Sequence, residues 1–76
     1  MEDRATIQRH LAQAEAHVAQ GEIHLARQKA IISELDRDGH ADAAETAREL
    51  LVTFETSQKA LVEDRDRLRA ELAACR

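Results

Sequence analysis

Asp36-Arg37-Asp38-Gly39-His40-Ala41-Asp42 is the stretch on which the fold depends, because it is the one strong punctuation in the chain. A glycine just past a helix end readily takes the left-handed conformation that closes the last orphan carbonyls. Asp42, followed three residues later by Glu45, has the spacing of a capping box that starts a new helix. The expected order is therefore helix one over about residues 3–38, a turn at 39–41 and helix two over about 42–74, one hairpin spanning residues 1–76.

Moving back from the turn, His10-Leu11-Ala12-Gln13-Ala14-Glu15 returns as His17-Val18-Ala19-Gln20-Gly21-Glu22, and more loosely as His24-Leu25-Ala26-Arg27-Gln28-Lys29. A seven-residue repeat keeps one seam of a helix facing a partner. On helix one that seam is Ile7, Leu11, Ala14, Val18, Gly21, Leu25, Gln28, Ile32 and Leu35. Moving forward, helix two carries Ala44, Ala47, Leu51, Phe54, Gln58, Leu61, Arg65, Leu68, Leu72 and Cys75 in the same phase.

Folding the chain at residue 39 or 40 sets Leu35 against Ala44, Leu25 against Phe54, Gly21 against Gln58 and Ile7 against Leu72. Every such pair sums to 79, so the two seams stay in register along the whole length. The predicted fold is all-α, an antiparallel coiled-coil-like hairpin with a core of Leu11, Val18, Leu25, Ile32, Leu51, Phe54, Leu61 and Leu68. Gln28, Gln58 and Arg65 read as polar layers that fix register at some cost in stability. Val52-Thr53-Phe54-Glu55-Thr56-Ser57 is the poorest helix sequence, since its β-branched and hydroxylated residues compete for the backbone. Phe54 is expected to hold it in place, so that Phe54→Ala would cost roughly 3 kcal/mol or more.

Composition agrees with helices and limits the core. Ala, Glu, Lys, Leu and Arg make up 43 of 76 residues, a bias typical of long helices. Leu, Ile, Val and Phe together number only 16. A single hairpin buries each seam side chain on one side only, too little to order a chain of this size comfortably. Apolar residues stranded off the seam, Ile23, Ile31, Leu50, Val52 and Val62, point the same way. The sequence thus predicts a homo-oligomer, most simply a two-fold dimer forming a four-helix bundle. Two flanks compete for the contact: one with Ala5, Ala12, Ala19, Ala26 and Ser33 facing Arg48, Glu55, Val62 and Arg69, the other with His10, His17, His24 and Ile31 facing Glu71, Asp64, Ser57 and Leu50. The second carries the larger orphans, and the expected interface is Ile23, Ile31, Leu50, Val62 and His24.

Candidate chemistry is sparse. His10, His17 and His24 share one helical phase, about 10.5 Å apart along the axis. Two of them cannot reach one metal from a single helix, so a metal site would need Asp64 or Glu71 from helix two, or a second subunit, and the sensor reading sets the three histidines with Asp64 and Glu71. Pairing with those carboxylates would strengthen association in acid, whereas neutral imidazoles buried between subunits would weaken it there. Glu-x-x-His and His-Glu-x-x-His are both missing, which argues against di-iron bundles and zinc proteases. Cys75 is the lone thiol, with no base beside it in sequence. No metal, no cofactor and no enzymatic activity are expected. The formal charge of −4 is shared by both halves, and the basic residues Arg65, Arg67 and Arg69 alternate with Asp64 and Asp66. Neither nucleic acid nor membrane is therefore an expected partner. A secretory signal is not evident either.

The His-φ-Ala repeat, the Arg37-Asp38-Gly39-His40 turn and the segment Leu50-Leu51-Val52-Thr53-Phe54-Glu55 resemble a group of short bacterial helical-hairpin proteins over about residues 8–72. The resemblance implies a bacterial, cytoplasmic setting and brings no activity, ligand or catalytic residue. From the residues themselves, the expected role is a small non-enzymatic interaction or regulatory module that associates with itself and with a protein partner. The rival is the histidine-ladder sensor.

Overall fold

Two helices of equal length, α1 (Arg4–Arg37) and α2 (Ala41–Ala74), form an antiparallel hairpin. The computed structural model describes residues 3–75. The hairpin is a thin rod with principal extents of 57 × 15 × 13 Å.

Three residues, Asp38, Gly39 and His40, separate the helices. Gly39 has φ +78°. Its N–H donates to the Asp36 carbonyl at 3.2 Å, and the His40 N–H donates to the Leu35 carbonyl at 2.9 Å. Those two bonds make a Schellman motif, the closure that the glycine was expected to provide. The start of α2 differs from expectation. His40 occupies the N-cap position without a side-chain hydrogen bond, and Asp42 already lies in the first turn. The capping box does not form because the chain enters α2 directly from the Schellman closure, two residues before Asp42. Its carboxylate still sits near the positive end of the α2 dipole. At the other end of the hairpin, Asp3 caps α1 by accepting from the Thr6 N–H at 2.7 Å.

Burial follows the seam. Ile7, Ala14, Val18, Gln28 and Ile32 of α1, with Ala44, Ala47 and Leu68 of α2, are buried. Leu11, Gly21, Leu25, Leu35, Leu51, Phe54, Leu61 and Leu72 are half-buried. The register is visible at its mid-point, where a methyl built on Gly21 would collide with the Gln58 carboxamide. Phe54 is only half-buried. The cost of Phe54→Ala therefore falls from the roughly 3 kcal/mol expected of a full core position to about 2 kcal/mol.

Two glutamines bridge the seam. Gln28 Nε2 donates to the Ala47 carbonyl at 2.8 Å, and Gln58 Nε2 donates to the Val18 carbonyl at 3.0 Å. Each sends its amide to the opposite helix, so a slip of either helix would break both bonds. Gln58 Oε1 is buried without a hydrogen-bond partner.

Candidate functional site

The two flanks of the rod differ in chemistry. On the first, Asp36 pairs with Arg48, and Glu15 with Arg69 at 3.2 Å. The side chains that reach across are thus Glu15 and Asp36, the positions next to the seam. The alanine stripe expected to face α2 is set one step further round α1. Ala19 lines a shallow charged groove with Glu15, Glu22, Arg65 and Arg69. Exposed pairs of this kind add little stability, about 0–1 kcal/mol each. They do keep the flank polar.

The second flank holds the histidines. His24 shares an apolar recess of about 250 Å³ with Gly21, Phe54, Ser57, Gln58 and Leu61. The recess exists because Gly21 has no side chain and Ser57 a short one, which leaves the sides of Phe54 and Leu61 uncovered. His17 lies on a neighbouring shallow hollow with Gln20, Gly21, His24 and Leu61. His10 lies at the open end, beside Ile7, Arg67, Leu68 and Glu71. Towards the turn, Ile31 and Leu50 stand on the same flank, each 45 % exposed.

The carboxylates that the histidine sensor would recruit are paired with an arginine. Asp64 and Glu71 both accept from Arg67, at 2.6 and 2.7 Å. The two hydrogen bonds, Asp64 first, raise the Arg67 pKa further above its ordinary value. Among the described residues no group of three or more His, Cys, Asp and Glu side chains comes together as a metal site would require. The histidine spacing of about 10.5 Å explains this, because each imidazole faces a different level of α2.

The residues expected at the interface do not all lie on one surface. Ile23 is 52 % exposed but follows the Gly21 seam position by two residues, which puts it on the back of α1, roughly 170° from the seam. Val62 follows Leu61 and is half-buried on the arginine flank, whereas Leu50 precedes Leu51 and falls on the histidine flank. One continuous surface holds only Ile31, Leu50 and His24 of the expected set. To these the structure adds Phe54 and Leu61, assigned to the core from sequence but partly uncovered at the Gly21 recess.

No protein-family model, curated protein or solved structure matches this chain. No helix among the described residues is long and apolar enough to cross a membrane.

Proposed function

We propose that this chain is a small non-enzymatic interaction or regulatory module that works by self-association of its helical hairpin. The observation that carries the reading is its surface. The hairpin exposes 5630 Å², against about 4,650 Å² for a compact monomer of its 8.5 kDa mass. The excess of roughly 1,000 Å² is comparable to the ~800 Å² that each partner buries in a standard interface. Ile31 and Leu50, side by side on the histidine flank and each 45 % exposed, are the large apolar side chains that one such contact would cover. A second copy is the simplest cover, because a two-fold contact needs only one self-complementary surface.

Sedimentation equilibrium in the low-micromolar range tests the proposal. The expected species has twice the 8.5 kDa chain mass and dissociates on dilution together with loss of helix. A chain that stays at its monomer mass and melts cooperatively at every concentration overturns it.

A further inference from the structure

On the reading that the hairpin self-associates, we propose that two copies lie antiparallel on their histidine flanks, the Ile31–Leu50 ridge of each seated in the partner copy's Gly21–Phe54–Leu61 recess. Three observations lead there.

Ridge and recess share one flank of the same molecule. Ile31 and Leu50 sit opposite each other across the seam, as do His24 and Ser57 one heptad further from the turn. The ridge is apolar and proud of the surface, while the recess of about 250 Å³ is apolar and hollow. It has room for a branched aliphatic side chain.

Their spacing then fixes the arrangement. Ile31 and Gly21 are ten residues apart on α1, about 15 Å along the axis. A two-fold axis crossing the rod midway, near the level of Leu25 and Ala26, places each ridge over the other copy's recess in one operation. A two-fold axis along the rod would instead stack ridge on ridge and leave both recesses empty. It would also stack the Asp64–Arg67–Glu71 cluster on its own copy, stripping water from like charges. In the antiparallel dimer that cluster lies at or beyond the partner's turn, where it stays hydrated.

The area suffices as well. The copies overlap over about 28 residue levels, or ~42 Å, across a rod 15 Å wide. That footprint of roughly 600 Å² per partner, ~1,200 Å² in total, reaches the lower end of stable interfaces. The arginine flank, with Asp36–Arg48 and Glu15–Arg69 across it, offers no apolar ridge to match.

The single native thiol reports the orientation. Cys75 lies at the open end, about 33 Å from the proposed axis, so the two thiols of a dimer stand roughly 65 Å apart. On α2 the axis falls near residue 53, so Leu50 of one copy faces Ser57 of the other, while the two Ser57 side chains stand about 12 Å apart, beyond disulfide reach. In a glutathione redox buffer, with oligomeric state followed by sedimentation, Leu50→Cys with Ser57→Cys in a Cys75→Ser background should cross-link, whereas the native chain and Ser57→Cys alone in that background should not. Ile31→Asp and Leu50→Asp should each weaken dimerisation by roughly tenfold or more while helicity at high concentration is retained. A dimer that cross-links through Cys75, or through Ser57→Cys alone, overturns the antiparallel arrangement. A dimer in which the Leu50→Cys and Ser57→Cys pair does not cross-link, or which ignores both aspartates, overturns the choice of flank. Both of those results leave self-association standing. A monomer at all concentrations removes the inference and the reading beneath it together.

Discussion

Replacing Gly21 by alanine offers a test of the hairpin register whose sign depends on one neighbour. In an isolated helix the change is favourable by about 1 kcal/mol, because glycine is the poorest helix former after proline. Here the new methyl carbon would lie 1.7 Å from Gln58 Oε1 and 2.7 Å from its Cδ. The carboxamide must swing away, which breaks its 3.0 Å bond to the Val18 carbonyl. Losing that bond costs about 1 kcal/mol, and an off-rotamer glutamine adds roughly 0.5–1 kcal/mol. The displaced Oε1, unpartnered while buried, regains water and offsets part of the loss. Gly21→Ala should therefore destabilise the native chain by about 0.5 kcal/mol. With Gln58→Ala already in place the obstruction is gone, and the same substitution should stabilise by about 1 kcal/mol. Urea unfolding of all four chains, at one concentration high enough to hold a single oligomeric state, gives the coupling, expected near 1.5 kcal/mol. Additive effects, with Gly21→Ala stabilising both backgrounds equally, would refute the facing of Gly21 and Gln58 and with it the register.

Three further outcomes follow from the remaining special positions. Gly39→Ala should cost about 1 kcal/mol in thermal or urea unfolding, since φ +78° strains any side chain even though nothing lies within 4 Å of its Cβ. Gln28→Ala should lose roughly 2 kcal/mol through its cavity and its bond to the Ala47 carbonyl, whereas Gln28→Leu should stay within about 1 kcal/mol, because the carbonyl keeps its helical partner; equal losses in chemical denaturation would count against that account. Asp3 has its pKa lowered by the Thr6 N–H and hydroxyl, so its capping contribution is present above the ordinary carboxylate value of 3.8 and fades as pH falls through the lower folded value. Amide exchange over the first turn of α1 should accordingly speed up, relative to mid-helix amides, between pH 5 and about pH 2; Asp3→Ala should abolish that difference.

Much of the fold could be read from the sequence because a seven-residue period and one glycine leave few choices. Seam phase alone placed Val18, Ile32 and Leu68 inside, and the common sum of 79 matched Gly21 to Gln58. What the period cannot give is depth. Phe54 and Leu61 share a phase with buried Leu68, yet stand partly uncovered because Gly21 across the seam and Ser57 between them on α2 are too small to close over them. That combination of a missing side chain with two large ones was present in the sequence as a signal for a recess. The N-cap of α2 is His40, two residues before the expected Asp42, since capping-box spacing says nothing about whether the preceding closure leaves room for it. The residues expected at the interface scatter for a different reason: Ile23 is exposed and Val62 half-buried, but only helical phase shows which surfaces lie side by side.

The three-residue connection has a kinetic consequence. Once Leu35 and Ala44 have met beside it, each further layer closes the same short increment of chain on either side, so the entropy of closure is met in equal small steps. Such a rod is expected to zip from the bend outward, on the fast side of the range for its size. Thermal opening should run the other way, like tongs parting at the tips. Protection against solvent exchange would then decline steadily from Ile32 and Ala47 towards Ile7 and Leu72.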